Sequence, residues 1–306
     1  MIDAVLPESG HQTEAGYREV HWPLENITLS GLAWPCSSGT GCQPPVLMVH
    51  GWLDNAMSFA RLAPELAKAA PAYAVDMAGH GWSGHRPQGY GYWLMDYVAD
   101  LTELIDTHFT GAEPGPLDLV GHSLGGIVCA LYAAVFPERV RRLVMIDSLG
   151  AISTPAADAV SQLRRALQKK RNGSAPPVIY PDVATAARIR EGGFSPLSTE
   201  AAGLLVPRNM RSYGEGYIWR TDSRLRHPSP LMMTEQQVEA TLSAIQAPTL
   251  FVRARDGLLA QRKGLEQRAS LVSDLTIVDV PGGHHCHLDG ETALVSQAIK
   301  RFLFDV

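Results

Sequence analysis

A chain of 306 residues, 45% hydrophobic and 19% charged, is long enough to bury the core of one large domain, or of one domain carrying an insertion. Its formal net charge of −5, without basic runs, leaves no electrostatic footprint for nucleic acid. No apolar run approaches the length of a membrane span, and residues 1–8 lack the basic and apolar regions of a signal peptide, so a cytoplasmic protein is expected. Four cysteines, Cys36, Cys42, Cys129 and Cys286, are too few and too scattered for a disulfide framework. Cys36 and Cys42 flank a Ser-Ser-Gly-Thr-Gly loop; export would let them pair, and a reduced pair is the expectation.

In chain order, residues 18–22 and 27–34 read as two antiparallel edge strands, followed by a Gly/Pro/Ser-rich surface loop over 35–45. The short apolar run 46–49 fits a strand buried on both faces. Residues 57–69 carry helical periodicity, 73–76 form another buried strand, and a Gly-rich turn follows over 79–84. Trp93, Leu94, Tyr97, Val98, Leu101, Leu104, Ile105 and Phe109 lie at helical spacing. A strand over 117–120, a helix over 124–136 stopped by Pro137, and a strand over 143–146 come next. Alternating short apolar strands and helices predict a parallel sheet covered on both faces.

That alternation breaks after Asp147. Residues 148–246 hold helices near 159–170, 183–191, 199–206 and 234–245, with no convincing strand. The alternation resumes with strands over 249–253 and 275–280 and closes with a helix over 291–304. Residues 1–147 and 247–306 therefore form an α/β core, and 148–246 an inserted, mostly helical cap.

Gly121-His122-Ser123-Leu124-Gly125 places a serine at a strand-to-helix corner with G-x-S-x-G spacing. Strained dihedrals at such a corner hold the serine side chain out for attack. Gly121 and Gly125 leave room where a Cβ would collide. The N–H of Leu124, at the helix N-terminus, faces negative charge that develops beside Ser123. A nucleophilic serine also needs an acid and a histidine, in the chain order Ser, acid, His.

Asp256, in Arg255-Asp256-Gly257, follows a strand, where open parallel sheets collect their ligands and catalytic groups. It is the expected acid, against the plainer reading of a turn-forming Asp-Gly; Asp147, also just past a strand, is its rival. Among His284, His285 and His287 the expected base is His284, directly after Gly282-Gly283. In an extended loop His285 and His287 would both face away from it. No carboxylate or cysteine set at ligand spacing joins these histidines, apart from Cys286 and Asp289, so no metal is expected.

The N–H of Trp52, in His50-Gly51-Trp52, is the second oxyanion donor. His50 and His122 are expected as hydrogen-bonded supports, and His80 and Trp82 as braces beneath the site. Trp219, Asp222 and Arg224 read as a solvated face with one packed indole.

Four runs carry a resemblance: Gly-His-Ser-Leu-Gly-Gly (121–126), His-Gly-Trp-Leu-Asp-Asn (50–55), Asp-Met-Ala-Gly-His-Gly-Trp-Ser (76–83) and Gly-Gly-His-His (282–285). They resemble the α/β-hydrolase superfamily. The run 50–59 and Gly-His-Arg-Pro (84–87) resemble its serine hydrolase-like branch, near epoxide hydrolases and haloalkane dehalogenases. The resemblance implies an eight-stranded, mostly parallel sheet with a helical lid between strands six and seven. Those two neighbouring families carry Asp at the elbow, whereas this chain has Ser123, which favours acyl transfer.

The expectation is a carboxylesterase-like serine hydrolase that cleaves a small-molecule ester through an acyl-enzyme. It needs no cofactor and works as a monomer or homodimer. A C–C hydrolase, thioesterase or lactonase would use the same machinery. A slow ligand-binding protein on a hydrolase scaffold is the reading from outside catalysis.

Overall fold

The computed structural model describes residues 16–38, 41–109 and 115–305; the N-terminal stretch 1–8 lies outside them. The chain opens with β1 (Arg18–Pro23), β2 (Thr28–Trp34) and β3 (Val46–Val49), then α1 (Ala63–Leu66) and β4 (Ala72–Asp76). It continues through α2 (Leu94–His108), β5 (Leu117–His122), α3 (Leu124–Val135) and β6 (Val140–Ile146). After β6 come α4 (Ala159–Asn172), α5 (Val183–Glu191), α6 (Thr199–Leu205), β7 (Met210–Tyr213), β8 (Gly216–Trp219) and α7 (Glu235–Ser243). The last elements are β9 (Thr249–Asp256), α8 (Leu265–Ala269), β10 (Leu275–Gly283) and α9 (Thr292–Phe304).

Eight strands form one sheet in the order β1-β2-β4-β3-β5-β6-β9-β10. β2 runs antiparallel to both β1 and β4, and every other pairing is parallel. The apolar runs are continuous because each strand feeds two cores. In β3, Leu47 and Val49 enter one core and Val46 and Met48 the other, as the two-residue period of a strand requires. β6 repeats the division, with Leu143 and Met145 on one side and Val144 and Ile146 on the other. Helices α2, α3 and α7 cover the first face, and α1 and α9 cover the second.

Three expectations need correction. The helix over 57–69 is a 3-10 turn (Ala56–Phe59) followed by the short α1. Pro64 has no N–H for a continuous helix and sits in the first turn of α1 instead. Residues 148–246 contain a strand pair, the antiparallel hairpin β7–β8, hidden in the sequence because three of the four β7 residues are exposed. Cys36 and Cys42 are joined as a disulfide.

The segment between β6 and β9 is stitched to the core by buried polar contacts. Arg208 places Nη2 2.8 Å from Asp76 Oδ2 and Nη1 2.7 Å from Glu19 Oε1. Asp76, fully buried, also accepts from the N–H groups of Ala56 at 2.7 Å and Trp82 at 2.9 Å. Asn55 Nδ2 donates to Leu205 O at 2.8 Å, Asn209 Nδ2 to Leu53 O at 3.1 Å, and Trp52 Nε1 to Leu225 O at 3.1 Å. Trp52, Leu53 and Asn55 thus act as a joint between sheet and insert.

Removing one partner of a buried ion pair strands the other charge. Arg208→Met should cost about 3–5 kcal/mol in chemical denaturation. Arg253→Met, at a surface pair with Asp279 and Glu266, should cost less than about 1 kcal/mol. Equal losses in the two variants would contradict the seam.

Candidate active site

Ser123 sits between the end of β5 and the start of α3 with φ 51° and ψ −116°, a left-handed conformation that costs a non-glycine residue energy. The surroundings impose it. A Cβ on Gly121 would lie 2.4 Å from Gly126 Cα, and one on Gly125 2.0 Å from Val49 O, so only glycines let α3 approach β5 and β3 this closely. Ser123 N–H donates to Ile146 O at 3.1 Å, and Ser148 Oγ donates to Ser123 O at 2.8 Å. The corner is held from β6 as well as from β5.

The acid expected at Asp256 does not meet the histidine. Asp256 is exposed at the end of β9, while Asp147, the rival, is buried after β6 with φ 43°. His284 Nδ1 lies 2.5 Å from Asp147 Oδ2, and Leu258 N–H donates to the same oxygen at 2.9 Å. The physical reason for the Asp-Gly signal lies in its second residue. A Cβ on Gly257 would come within 2.5 Å of both Asp147 carboxylate oxygens. The loop after β9 therefore makes room for the Asp147 carboxylate and donates to it, and the carboxylate that meets His284 follows the neighbouring strand, β6.

The three histidines take different partners, but on a turn rather than an extended loop, since Cys286 N–H bonds back to Gly283 O and Leu288 N–H to His285 O. His285 does not face away, and it lines the same cavity as His284. His285 Nε2 lies 2.9 Å from Asp54 Oδ2, and His287 Nε2 lies 2.9 Å from Ser58 Oγ. His122 Nε2 donates to His284 O at 2.9 Å, fixing the backbone of the histidine that meets Asp147. His50 Nε2 accepts from Met77 N–H at 3.0 Å, and His80 Nε2 from Leu53 N–H at 3.2 Å; both are hydrogen-bonded supports.

Asp54, His122 and His285 offer side-chain atoms within 4.8 Å of one another and are where a cation would sit among the described residues. Arg190 Nη2 already stands 3.6 Å from Asp54 Oδ1. Burial opposes charge on Asp54, but His285 and Arg190 outweigh it and hold the carboxyl well below its usual range. Nothing in the sequence marks Asp54, inside the 50–55 run, or Arg190 as partners. Their contact crosses from core to insert and has no local signature.

Ser123, Leu124, Trp52 and His284 line one cavity of about 590 Å³, the size of a small-molecule site. The N–H groups of Trp52 and Leu124 take no acceptor among the described residues, so both are free donors at its wall. Ile127, Ile152, Ile189, Phe194 and Leu258 add an apolar lining. Trp219 also lines the cavity, with Nε1 3.1 Å from Tyr180 Oη. Asp222 and Arg224 are not a free solvated face: Arg224 Nη2 lies 2.6 Å from Asp222 Oδ2 and Tyr92 Oη 2.8 Å from it.

Burial pushes His287 and His80 down to about 3 and lowers His50 and His122. Below the unfolded value of 6.5 the unfolded chain binds protons that these four folded imidazoles refuse, so stability must fall with pH between 6.5 and about 3. Asp118, pushed up to about 6 by burial, and Asp100, raised by burial, work the other way. His227 is also lowered by burial, so with five lowered imidazoles against two raised carboxyls, calorimetry should find a lower Tm at pH 5 than at pH 7; an unchanged or higher Tm would contradict neutral burial of the histidines.

Residues 44–291 match the α/β hydrolase fold family. A serine hydrolase-like protein of Danio rerio is 28% identical over 302 residues, covering 93% of this chain and 88% of its own length. The crystal structure of a hypothetical protein from Pseudomonas aeruginosa PAO1 superposes with a TM-score of 0.83 at 36% identity, covering 93% of this chain and 97% of that one. A thioesterase domain from the curacin biosynthetic pathway gives a TM-score of 0.79 at 28% identity, covering 92% and 99%. A mostly parallel sheet with this strand order, a strained serine at the corner between β5 and α3, and a match over most of its length place the chain in the α/β-hydrolase superfamily, in its serine hydrolase-like branch.

Proposed function

We propose that the protein is a serine hydrolase that cleaves a carboxylic ester through an acyl-enzyme, with Ser123 as nucleophile, His284 as base and Asp147 as acid. The observation that carries the reading is the 2.5 Å contact between His284 Nδ1 and Asp147 Oδ2, made beside a strained Ser123 in one cavity. A carboxylate that accepts from Nδ1 fixes the tautomer whose Nε2 accepts a proton, and stabilises the imidazolium that results.

Ser123 Oγ attacks the ester carbonyl carbon and gives its proton to His284 Nε2. The tetrahedral oxyanion is met by the N–H groups of Trp52 and Leu124, a contribution of roughly 3 kcal/mol per donor in comparable sites. Collapse breaks the carbonyl–alkoxy bond, and His284 returns its proton to the leaving alcohol. Water, deprotonated by the same imidazole, then attacks the acyl-enzyme and releases the acid and free Ser123. Residues 148–246 serve as the cap, and their apolar residues shield this chemistry from water. The likeness to a thioesterase domain, whose chemistry also passes through an acyl carbonyl, supports acyl transfer as the reaction class.

Ser123→Ala should lower kcat on a p-nitrophenyl ester by at least about a thousandfold. Activity within tenfold of the parent would remove the mechanism. Asp147→Asn should cost on the order of 10⁴ in kcat by favouring the wrong histidine tautomer, and Asp256→Asn only a few-fold. The reverse ranking would return the acid to the end of β9.

A further inference from the structure

Two guanidiniums line the cavity with Ser123 and His284, those of Arg190 and Arg226. Their electrostatic situations differ. Arg190 stands 3.6 Å from Asp54 Oδ1 and donates from Nη1 to Ser195 O at 2.9 Å, so its charge is met. Arg226 has no ion pair and no side-chain hydrogen bond among the described residues. Asp54, the acidic residue in the cavity wall, is engaged by His285 and Arg190. One positive charge is left over.

The segment that presents Arg226 is fixed. Leu225 O accepts from Trp52 Nε1 at 3.1 Å, and Leu225 N–H donates to Asp222 O at 3.0 Å. Asp222 is gripped by Tyr92 and Arg224. Arg224 in turn donates to Pro87 O at 2.7 Å, Tyr90 O at 2.9 Å and Arg86 O at 2.6 Å. The aromatic and charged cluster is therefore a clamp, and it holds at the cavity the short turn (Ser223–Arg226) that ends in the uncompensated guanidinium.

Arg226 is exposed at the cavity, so a neutral occupant that covers it takes water from the guanidinium and returns nothing. A carboxylate would return a two-pronged, charge-assisted pair. Resting on the acyl-transfer reading of the cavity, we propose that its substrate is an ester bearing a carboxylate, which Arg226 pairs with as the specificity-determining residue while the Asp222–Arg224 clamp holds it in place.

Calorimetric binding to the Ser123→Ala protein tests this without turnover. Glutaric acid monoamide carries the carboxylate on the acyl side, N-acetyl-4-aminobutyrate carries it on the alcohol side, and valeramide is the neutral control. At least one acid should bind ten-fold or more tighter than valeramide at low salt, with the difference shrinking as salt rises. Arg226→Gln should erase that difference, and Arg226→Lys should restore part of it. Equal binding of all three compounds, or a preference that survives Arg226→Gln, would overturn the proposal. An Arg226-dependent preference in a protein whose Ser123 proves unreactive would remove the hydrolase reading and leave the anion site standing.

Discussion

The Asp147 carboxylate is the point where three strand ends meet, and the site depends on its being there. It follows β6, its N–H is held by Val252 O of β9, and it accepts from Leu258 N–H and from His284, just past β10. Its space exists because Gly257 has no side chain. A buried carboxylate needs donors, and the donors to Oδ2 come from the loops that follow β9 and β10. Placing Asp147 therefore also places His284. His122, beside the elbow, completes the arrangement by holding the His284 carbonyl, so Ser123 and His284 are set by one continuous set of contacts.

The insert is part of that set rather than an independent lid. The loop that offers Trp52 to the cavity also gives its indole N–H, the Leu53 carbonyl and the Asn55 amide to residues 205–225. Asp76, at the end of β4, is buried against Arg208. Oxyanion donors are useful only if they do not reorganise as charge develops. An insert that hydrogen-bonds the Trp52 indole would hold the Trp52 N–H in the place the proposed mechanism needs it, at the cavity wall.

Most of the sheet was legible because its physics is local. The runs in β3 and β6 alternate between two cores, and a four-residue apolar run reports that without knowledge of its partners. The elbow was legible for the same reason: its glycines answer a clash between adjacent elements. The acid was harder. Asp256-Gly257 reads as a catalytic acid or as a turn, yet its glycine serves a carboxylate 110 positions earlier in the chain, and no spacing encodes that contact. The Asp222–Arg224 cluster was opaque likewise, since Tyr92, Pro87 and Tyr90, which make it a clamp, lie far away in sequence. The β7–β8 hairpin escaped because most of β7 faces solvent and carries no alternating apolar pattern.

The central claim is that Ser123, at the corner held by Ile146 and Ser148, is a nucleophile activated through His284 and Asp147. Peptide mapping by mass spectrometry after treatment with a fluorophosphonate tests it most directly, because the reagent bonds only to a serine whose proton an adjacent base removes. The account predicts stoichiometric modification of Ser123 in the parent protein and a marked slowing of that modification in Asp147→Asn. Modification at another serine, or none at all in the folded protein, would contradict it.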